Sequence, residues 1–282
     1  MVTHATEEYV ATRRIGDATV TLINDGVFDA IPLIPWMDAP AAAVRRAVPE
    51  ADANGAIGHS GMIVAHVRIG HASILIDPGV GDLDPSSWLV TDLKLCRTPG
   101  VQAGLAAVGS APEQITHVLI THAHDDHFLG AMVRRDGQHI PRYPQARYVI
   151  GRAEWDGNPA REDPTSEVTL RLGALDRRGL LAVVEGDAAI VPGVTMLPAP
   201  GESPGHSIVH VASAGDHFYY LGDLFHHTCE VAHLDWVMAH RNTPAMMAHC
   251  NDSCKNGPYC VNRSSRCLWS HCHYGFRQRP LR

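Results

Sequence analysis

The stretch Thr121-His122-Ala123-His124-Asp125-Asp126-His127-Phe128 constrains this chain more than any other. Three histidines and two carboxylates fall within six residues, directly after the apolar run Val118-Leu119-Ile120. A short strand that empties into such a turn gathers imidazoles and carboxylates where the backbone is already irregular. Those groups are ligands for zinc or iron. A solvated polar turn is the alternative in a chain with 19 histidines, but the density of donors favours a metal cluster.

Length and charge bound the rest. With 282 residues the chain suits one large domain or two small ones. Its 23 basic against 30 acidic side chains argue against non-specific nucleic-acid binding. Residues Met1 to Glu8 contain no apolar segment of a secretory signal, and no apolar run reaches the ~18 residues of a membrane span. A soluble cytoplasmic protein without a membrane partner is expected; the sequence leaves its oligomeric state undetermined.

The composition changes near residue 240. Residues 1–240 hold only Cys96 and Cys229, whereas Cys250, Cys254, Cys260, Cys267 and Cys272 crowd into the end. From Arg241 the net charge is +6, which leaves −13 on residues 1–240. The only branched aliphatics there are Val261, Leu268 and Leu281. We therefore divide the chain into a domain over 1–240 and an atypical Cys-rich, basic tail over 241–282, read as frameshifted, replaced or disordered. A zinc knuckle is a further reading, but the cysteines are separated by 3, 5, 6 and 4 residues and form no CxxC pair.

Several elements can be placed from periodicity. Residues 18–24 largely alternate and read as a strand, with Asp25-Gly26 marking a turn. Pro40 to Val48 reads as a short helix. Gly61–Ile69 and Ala72–Ile76 form a hairpin about Gly70-His71, ending in Asp77-Pro78-Gly79. Residues 80–98 resemble a loop that could cap a pocket, and Pro99–Ser110 reads as a helix. Ile115–Ile120 is the strand feeding the His-rich turn, and a helix is expected to start over Phe128–Val133. Arg147–Ile150 is another strand, and Thr165–Leu181 a helix interrupted near Gly173. From Val183 to Asp223 the pattern is strand and turn. Two groups of strands with helices suggest an αββα sandwich rather than a doubly wound sheet.

Three further polar residues stand at strand-to-turn junctions. Asp77 is either a turn residue before Pro-Gly or a carboxylate that orients a metal-bound histidine. His206, after Ser203-Pro204-Gly205, is a ligand or a locally satisfied histidine. Asp223, after Gly222, is a surface turn residue or an inward acid that needs a partner.

Taken together, Ile76-Asp77-Pro78-Gly79, His-x-His-x-Asp-His at 122–127, Pro204-Gly205-His206-Ser207 and Leu221-Gly222-Asp223 resemble the metallo-β-lactamase superfamily, in its order and over about residues 18–240. The resemblance implies a four-layer αββα sandwich, with its C-terminal part open to being incomplete. It implies one metal on His122, His124 and His206, a second on Asp126 and His127, and Asp223 bridging them. Zn2+, two per chain, is the expected cofactor, with Fe, Mn or Co as other divalent choices.

An Asp at 223, where the zinc β-lactamases with a cysteine ligand would want Cys, looks like the lactonase and methyl parathion hydrolase branch. The implied reaction is attack by a metal-bridging hydroxide on a lactone or carboxylic ester, with a phosphotriester as a variant. Asp126 and Asp223 are the catalytic carboxylates of that reading. Its rivals are an iron-dependent oxidoreductase of the same superfamily and an inactive product lacking the second metal site. The pattern also wants a last histidine on a late strand; His271 is the candidate, with His273 and His249 as alternatives. Phe128, Trp88, Trp155 and Phe225 are candidate pocket walls or plain packing. His226 and His227 read as substrate contacts or as exposed turn residues.

Overall fold

The structure, a computed structural model, describes residues 9–28, 34–37, 39–58, 60–227 and 229–238. Its larger sheet takes the strands in chain order: β1 (Val10–Ile15), β2 (Ala18–Phe28), β3 (Ser60–Ile69), β4 (Ala72–Ile76), β5 (His117–Ile120), β6 (Arg147–Gly151) and β7 (Leu181–Val184). Leu95–Arg97 adds an eighth strand beside β2. The pairs from β1 to β4 are antiparallel and those from β4 to β7 parallel. The smaller sheet is an antiparallel meander of β8 (Ala188–Val191), β9 (Val194–Pro198), β10 (Ser207–Ser213) and β11 (Asp216–Tyr220).

Side-chain alternation explains the layers. In β4 and β5, Ile74, Ile76 and Leu119 point between the sheets, where they meet Val209, Val211, Phe218 and Tyr220. Their neighbours Leu75, Val118 and Ile120 point the other way, onto Val101 and Leu105 of the helix Gly100–Ala107 and onto Leu172 and Leu175. Strands covered on both faces read as near-continuous apolar runs, which is why 61–69, 72–76 and 115–120 are so legible. The outer face of the small sheet buries Leu197, Ile208 and Leu221 with Phe225, and Val231 of the helix Cys229–Ala232 packs against them. The αββα arrangement expected from the sequence is thus present, as is the hairpin about Gly70-His71.

Three local expectations fail. Residues 80–98 are not loop throughout: they hold the one-turn helix Trp88–Thr91 and the strand Leu95–Arg97. Asp25-Gly26 is not a turn: β2 runs on to Phe28, with a bulge between Asn24 and Gly26. The irregularity leaves Asp25 fully buried, where its carboxylate accepts from the Val80 and Val101 amides at 3.0 and 3.1 Å. A bulge re-aims one side chain without ending the strand, which an Asp-Gly pair alone does not distinguish from a hairpin.

The helix expected over 128–133 is one turn, Asp125–Phe128, followed by a 3-10 turn and the strand Met132–Arg135. Here Gly130 is pressed against the Pro78 carbonyl, and its amide donates to Gly79 O at 2.7 Å. That contact diverts the chain before a second helical turn can form. The tail, with its cysteines, His249, His271 and His273, lies outside the described residues. Among the described residues no helix is long and apolar enough to cross a membrane.

One core residue carries a pH dependence. His66 is the polar member of the buried run in β3, 1% exposed, with Nε2 2.9 Å from Ser73 Oγ. Burial first, and Arg68 second, push its imidazole down to about 4 from 6.5. The unfolded chain therefore takes up this proton before the folded one, so the stability His66 contributes is present above 6.5 and lost as the pH falls towards 4. A shift of that size corresponds to about 3 kcal/mol. Urea midpoints of His66→Gln are expected to fall less than wild type between those pH values, and parallel curves would rule the residue out as a source of acid sensitivity.

Candidate metal centre

Adjacent parallel strands deliver their carboxyl ends to one edge of the sandwich, the place where open α/β sheets bind ligands. Asp77 follows β4, residues 121–127 follow β5, and Glu154 lies just past β6. The smaller sheet meets them with His206 before β10 and Asp223 after β11. A main-chain bond from Ser207 N to Thr121 O, 2.9 Å, ties the two sheets at this point.

Asp77 is the orienting carboxylate of the two alternatives raised by the sequence. It has φ +53°, a left-handed conformation that non-glycine residues adopt at a cost. Its oxygens accept from Thr121 N at 2.8 Å and Thr121 Oγ1 at 2.8 Å, and Oδ2 lies 2.9 Å from His127 Nδ1. The buried turn is thus held by three bonds, and the His127 ring is fixed with Nε2 turned to the cluster.

The other residues converge on His122, which is fully buried. Its Nε2 is 2.9 Å from His124 Nδ1 and 4.0 Å from Asp223 Oδ2. Its ring centre lies 4.2 Å from that of His127 and 5.0 Å from that of His206. His127 Nε2 is 3.2 Å from Asp223 Oδ1 and 3.5 Å from Asp126 Oδ2. His206 donates from Nδ1 to Ala199 O at 3.0 Å, so Nε2 is the lone-pair nitrogen and accepts from Asp223 N at 3.2 Å. Six of the seven residues singled out as metal ligands are therefore together; His271 lies outside the described residues.

Gly222 makes room for this packing. It has φ +53°, and a Cβ there would sit 2.7 Å from His206 Nε2 and 2.9 Å from Thr121 Oγ1.

Charge and chemistry fit a divalent ion. Burial, followed by the neighbouring imidazoles of His127 and His124, holds His122 well below its ordinary value. Burial likewise brings His206 down to about 4. Neutral imidazoles are the form a metal takes. Burial also acts to lower His127, but the carboxylates of Asp223, Asp126 and Asp77 outweigh it and hold that imidazole well above its ordinary value. The pocket is thus rich in negative charge that calls for a cation. The ligand atoms of His122, His124 and Asp223 lie within 4.8 Å of one another, a mixed nitrogen and oxygen set suited to zinc and its neighbours.

Sequence reasoning missed two acids. Glu154 is buried and accepts from Ala123 N at 2.8 Å and from the Ser203 hydroxyl, so it braces the His-rich turn against the loop before His206. Glu202 is buried with Oε1 3.7 Å from His124 Nδ1; its only signal was its place four residues before His206. Phe128, Trp155 and Phe225 are buried packing residues. Trp88 is exposed and donates from Nε1 to Asp125 Oδ2 at 3.0 Å, at the rim of the site. His227 is buried and His226 half-buried, so neither is an exposed turn residue.

Fold and centre together define a class, and the sequence comparison agrees: the chain belongs to the metallo-beta-lactamase superfamily, whose profile matches residues 57–250. Among curated proteins it is similar to an N-acyl homoserine lactonase of Bacillus cereus, 33% identical over 102 residues. That match takes in 36% of this chain and only 35% of the relative's length. Among solved structures it is similar to a probable metal-dependent hydrolase from Staphylococcus aureus, with TM-score 0.74, 23% identity, and coverage of 92% of this chain and 91% of the other. It is also similar to AidC, a dizinc quorum-quenching lactonase in complex with a product, with TM-score 0.70, 18% identity, and coverage of 94% and 90%. At such identities the structural likeness establishes the fold.

Proposed function

We propose that this protein is a metal-dependent hydrolase that opens a lactone or cleaves a carboxylic ester, with two zinc ions as the expected metals. The observation that carries this reading is the convergence of His122, His124, Asp126, His127, His206 and Asp223 from both sheets on one point at the edge of the sandwich. The partial match to an N-acyl homoserine lactonase supports the lactone in particular. So does the fold shared with AidC, which holds the product N-hexanoyl-L-homoserine. None of these relatives favours the iron-dependent oxidoreductase alternative.

When bound, the ions would lower the pKa of water from 15.7 towards about 7 and draw charge from a carbonyl oxygen. The chain's own residues do the rest. Asp77 and Ala199 O fix the ring orientations of His127 and His206. Asp223 presents one oxygen to His127 and the other to His122, joining the two halves of the centre. Asp126, with its side chain 18% exposed, would take a proton from the attacking water and return it to the leaving alkoxide. The acyl C–O bond breaks and a new C–O bond to the water oxygen forms; a lactone gives a single hydroxy acid, and an ester gives a carboxylic acid and the released alcohol.

A cavity of about 530 Å³ opens from His124 and Asp125, between Pro159 and Val168 on one side and Ser203 on the other. It is of a size for a small molecule.

The test is metal analysis of the purified chain combined with a panel of N-acyl homoserine lactones, simple γ-lactones, aryl esters and phosphotriesters, with oxygen uptake recorded alongside. Bound divalent metal and lactone turnover that vanishes on chelation and returns with zinc are expected. Iron with oxygen consumption, or hydrolysis indifferent to chelator, would sink the proposal.

A further inference from the structure

Asp223 belongs to a second donor group besides the one it forms with His122 and His124. Ligand atoms of Glu202, Asp223 and His226 also lie within 4.8 Å of one another. His226 Nε2 stands 3.3 Å from Asp223 Oδ2, the same oxygen that faces His122 Nε2 at 4.0 Å. Glu202 Oε1 stands 3.7 Å from His124 Nδ1. The two groups therefore touch one another twice, through a shared carboxylate oxygen and through the Glu202–His124 approach.

Neither residue is a surface chance. Glu202 is 7% exposed and the His226 side chain 14%. Separations of about 3.0–3.4 Å are those of neighbouring ligands on an ion with bonds of about 2.0–2.2 Å. The His226–Asp223 distance has that value. A buried carboxylate and a half-buried imidazole that both approach Asp223 are a donor set of the kind a divalent ion takes.

We propose that Glu202 and His226 are metal-binding residues that form, with Asp223, a second donor set adjoining the one Asp223 makes with His122 and His124. The assignment rests on the metal-dependent reading above. The two sets share Asp223 and draw on three segments: the His-rich turn, the loop before β10 and the turn after β11. His226 follows Asp223 by three residues, so a single turn supplies two of the three donors of the added set.

Cobalt(II) titration of the full chain, read by visible ligand-field absorption and by competition with a chromophoric chelator, tests it. His226→Gln, Glu202→Gln and His122→Ala are compared with wild type, and His233→Ala, stacked on Trp236 outside the cluster, is the control. Loss of at least about tenfold in cobalt affinity is expected for both Gln variants. Their absorption should also change in position and intensity, because the coordination sphere itself changes. Imidazole added to His226→Ala should restore the wild-type band. Thermal unfolding of the metal-free proteins separates misfolding from ligand loss, and Glu202→Gln keeps the test open if both His226 variants fail to fold.

Wild-type absorption in both Gln variants overturns the proposal, whatever their affinity, since a residue that only braces the site leaves the band in place. A change in one variant alone overturns the shared set. If His122→Ala loses cobalt while the Gln variants keep it unaltered, this inference fails and the hydrolase reading stands. A wild-type chain that takes no cobalt removes both.

Discussion

Asp77→Ala is expected to destabilise the protein by about 3 kcal/mol and to abolish tight metal binding. The substitution strips the buried Thr121 amide and hydroxyl of their acceptor and leaves His127 without its Nδ1 partner. A buried donor left unsatisfied costs about 1–3 kcal/mol, and losing a charged partner adds to that. It also exchanges a strained left-handed Asp for an Ala in the same conformation, so no backbone relief offsets the loss.

Asp77→Asn separates the two effects. Its amide oxygen can still accept from Thr121 N, while its NH2 group would meet His127 Nδ1 and drive the imidazole proton to Nε2, the nitrogen that faces Asp126 and Asp223. Metal affinity should then fall by about 10–100-fold with thermal stability near wild type. Differential scanning calorimetry and chelator competition on the two variants check this; an Asn variant that binds zinc as wild type does would contradict the role given to Asp77.

Gly222→Ala should act almost wholly on activity. The added methyl would lie 2.7 Å from His206 Nε2 and 2.9 Å from Thr121 Oγ1, on a residue at φ +53°. The left-handed conformation costs Ala about 1–2 kcal/mol. The methyl cannot be accommodated unless the imidazole or the Gly222-Asp223 turn moves, and either shift disturbs two donors at once. A misplacement of that order costs about 100-fold in rate. Lactone turnover is therefore expected to drop at least about 100-fold in kcat/KM, against a modest fall in Tm. A variant within about threefold of wild type would show that the close packing of Gly222 on His206 has no part in function.

The parts of this architecture that were legible in the sequence are those whose cause is local. The largely apolar runs at 61–69, 72–76 and 115–120 announce strands buried on both faces, and the motif at 122–127 announces its donors in six consecutive residues. His206 and Asp223 were legible because each stands where a strand meets a glycine-containing turn. Glu154 was not, because its role is to receive Ala123 N from 31 positions away, and nothing near residue 154 encodes that. Asp25 was misread because an Asp-Gly pair in a bulge and in a hairpin look alike until the partner strand is known. Between substrate contacts and exposed turn residues the sequence does not decide for His226 and His227, and the burial of His227 comes from distant segments such as that of Glu50, whose Oε1 lies 3.2 Å from its Nε2.

The Ser207–Thr121 bond marks the seam where the large and small sheets meet, and the donors stand on both banks of it. A ligand gripped from both sides acts as a clasp: the sheets cannot part without releasing it. At a free concentration 100 times its Kd such a ligand adds about 2.7 kcal/mol to the folded state. The melting temperature of this protein should therefore serve as a gauge of site occupancy, readable with no substrate present.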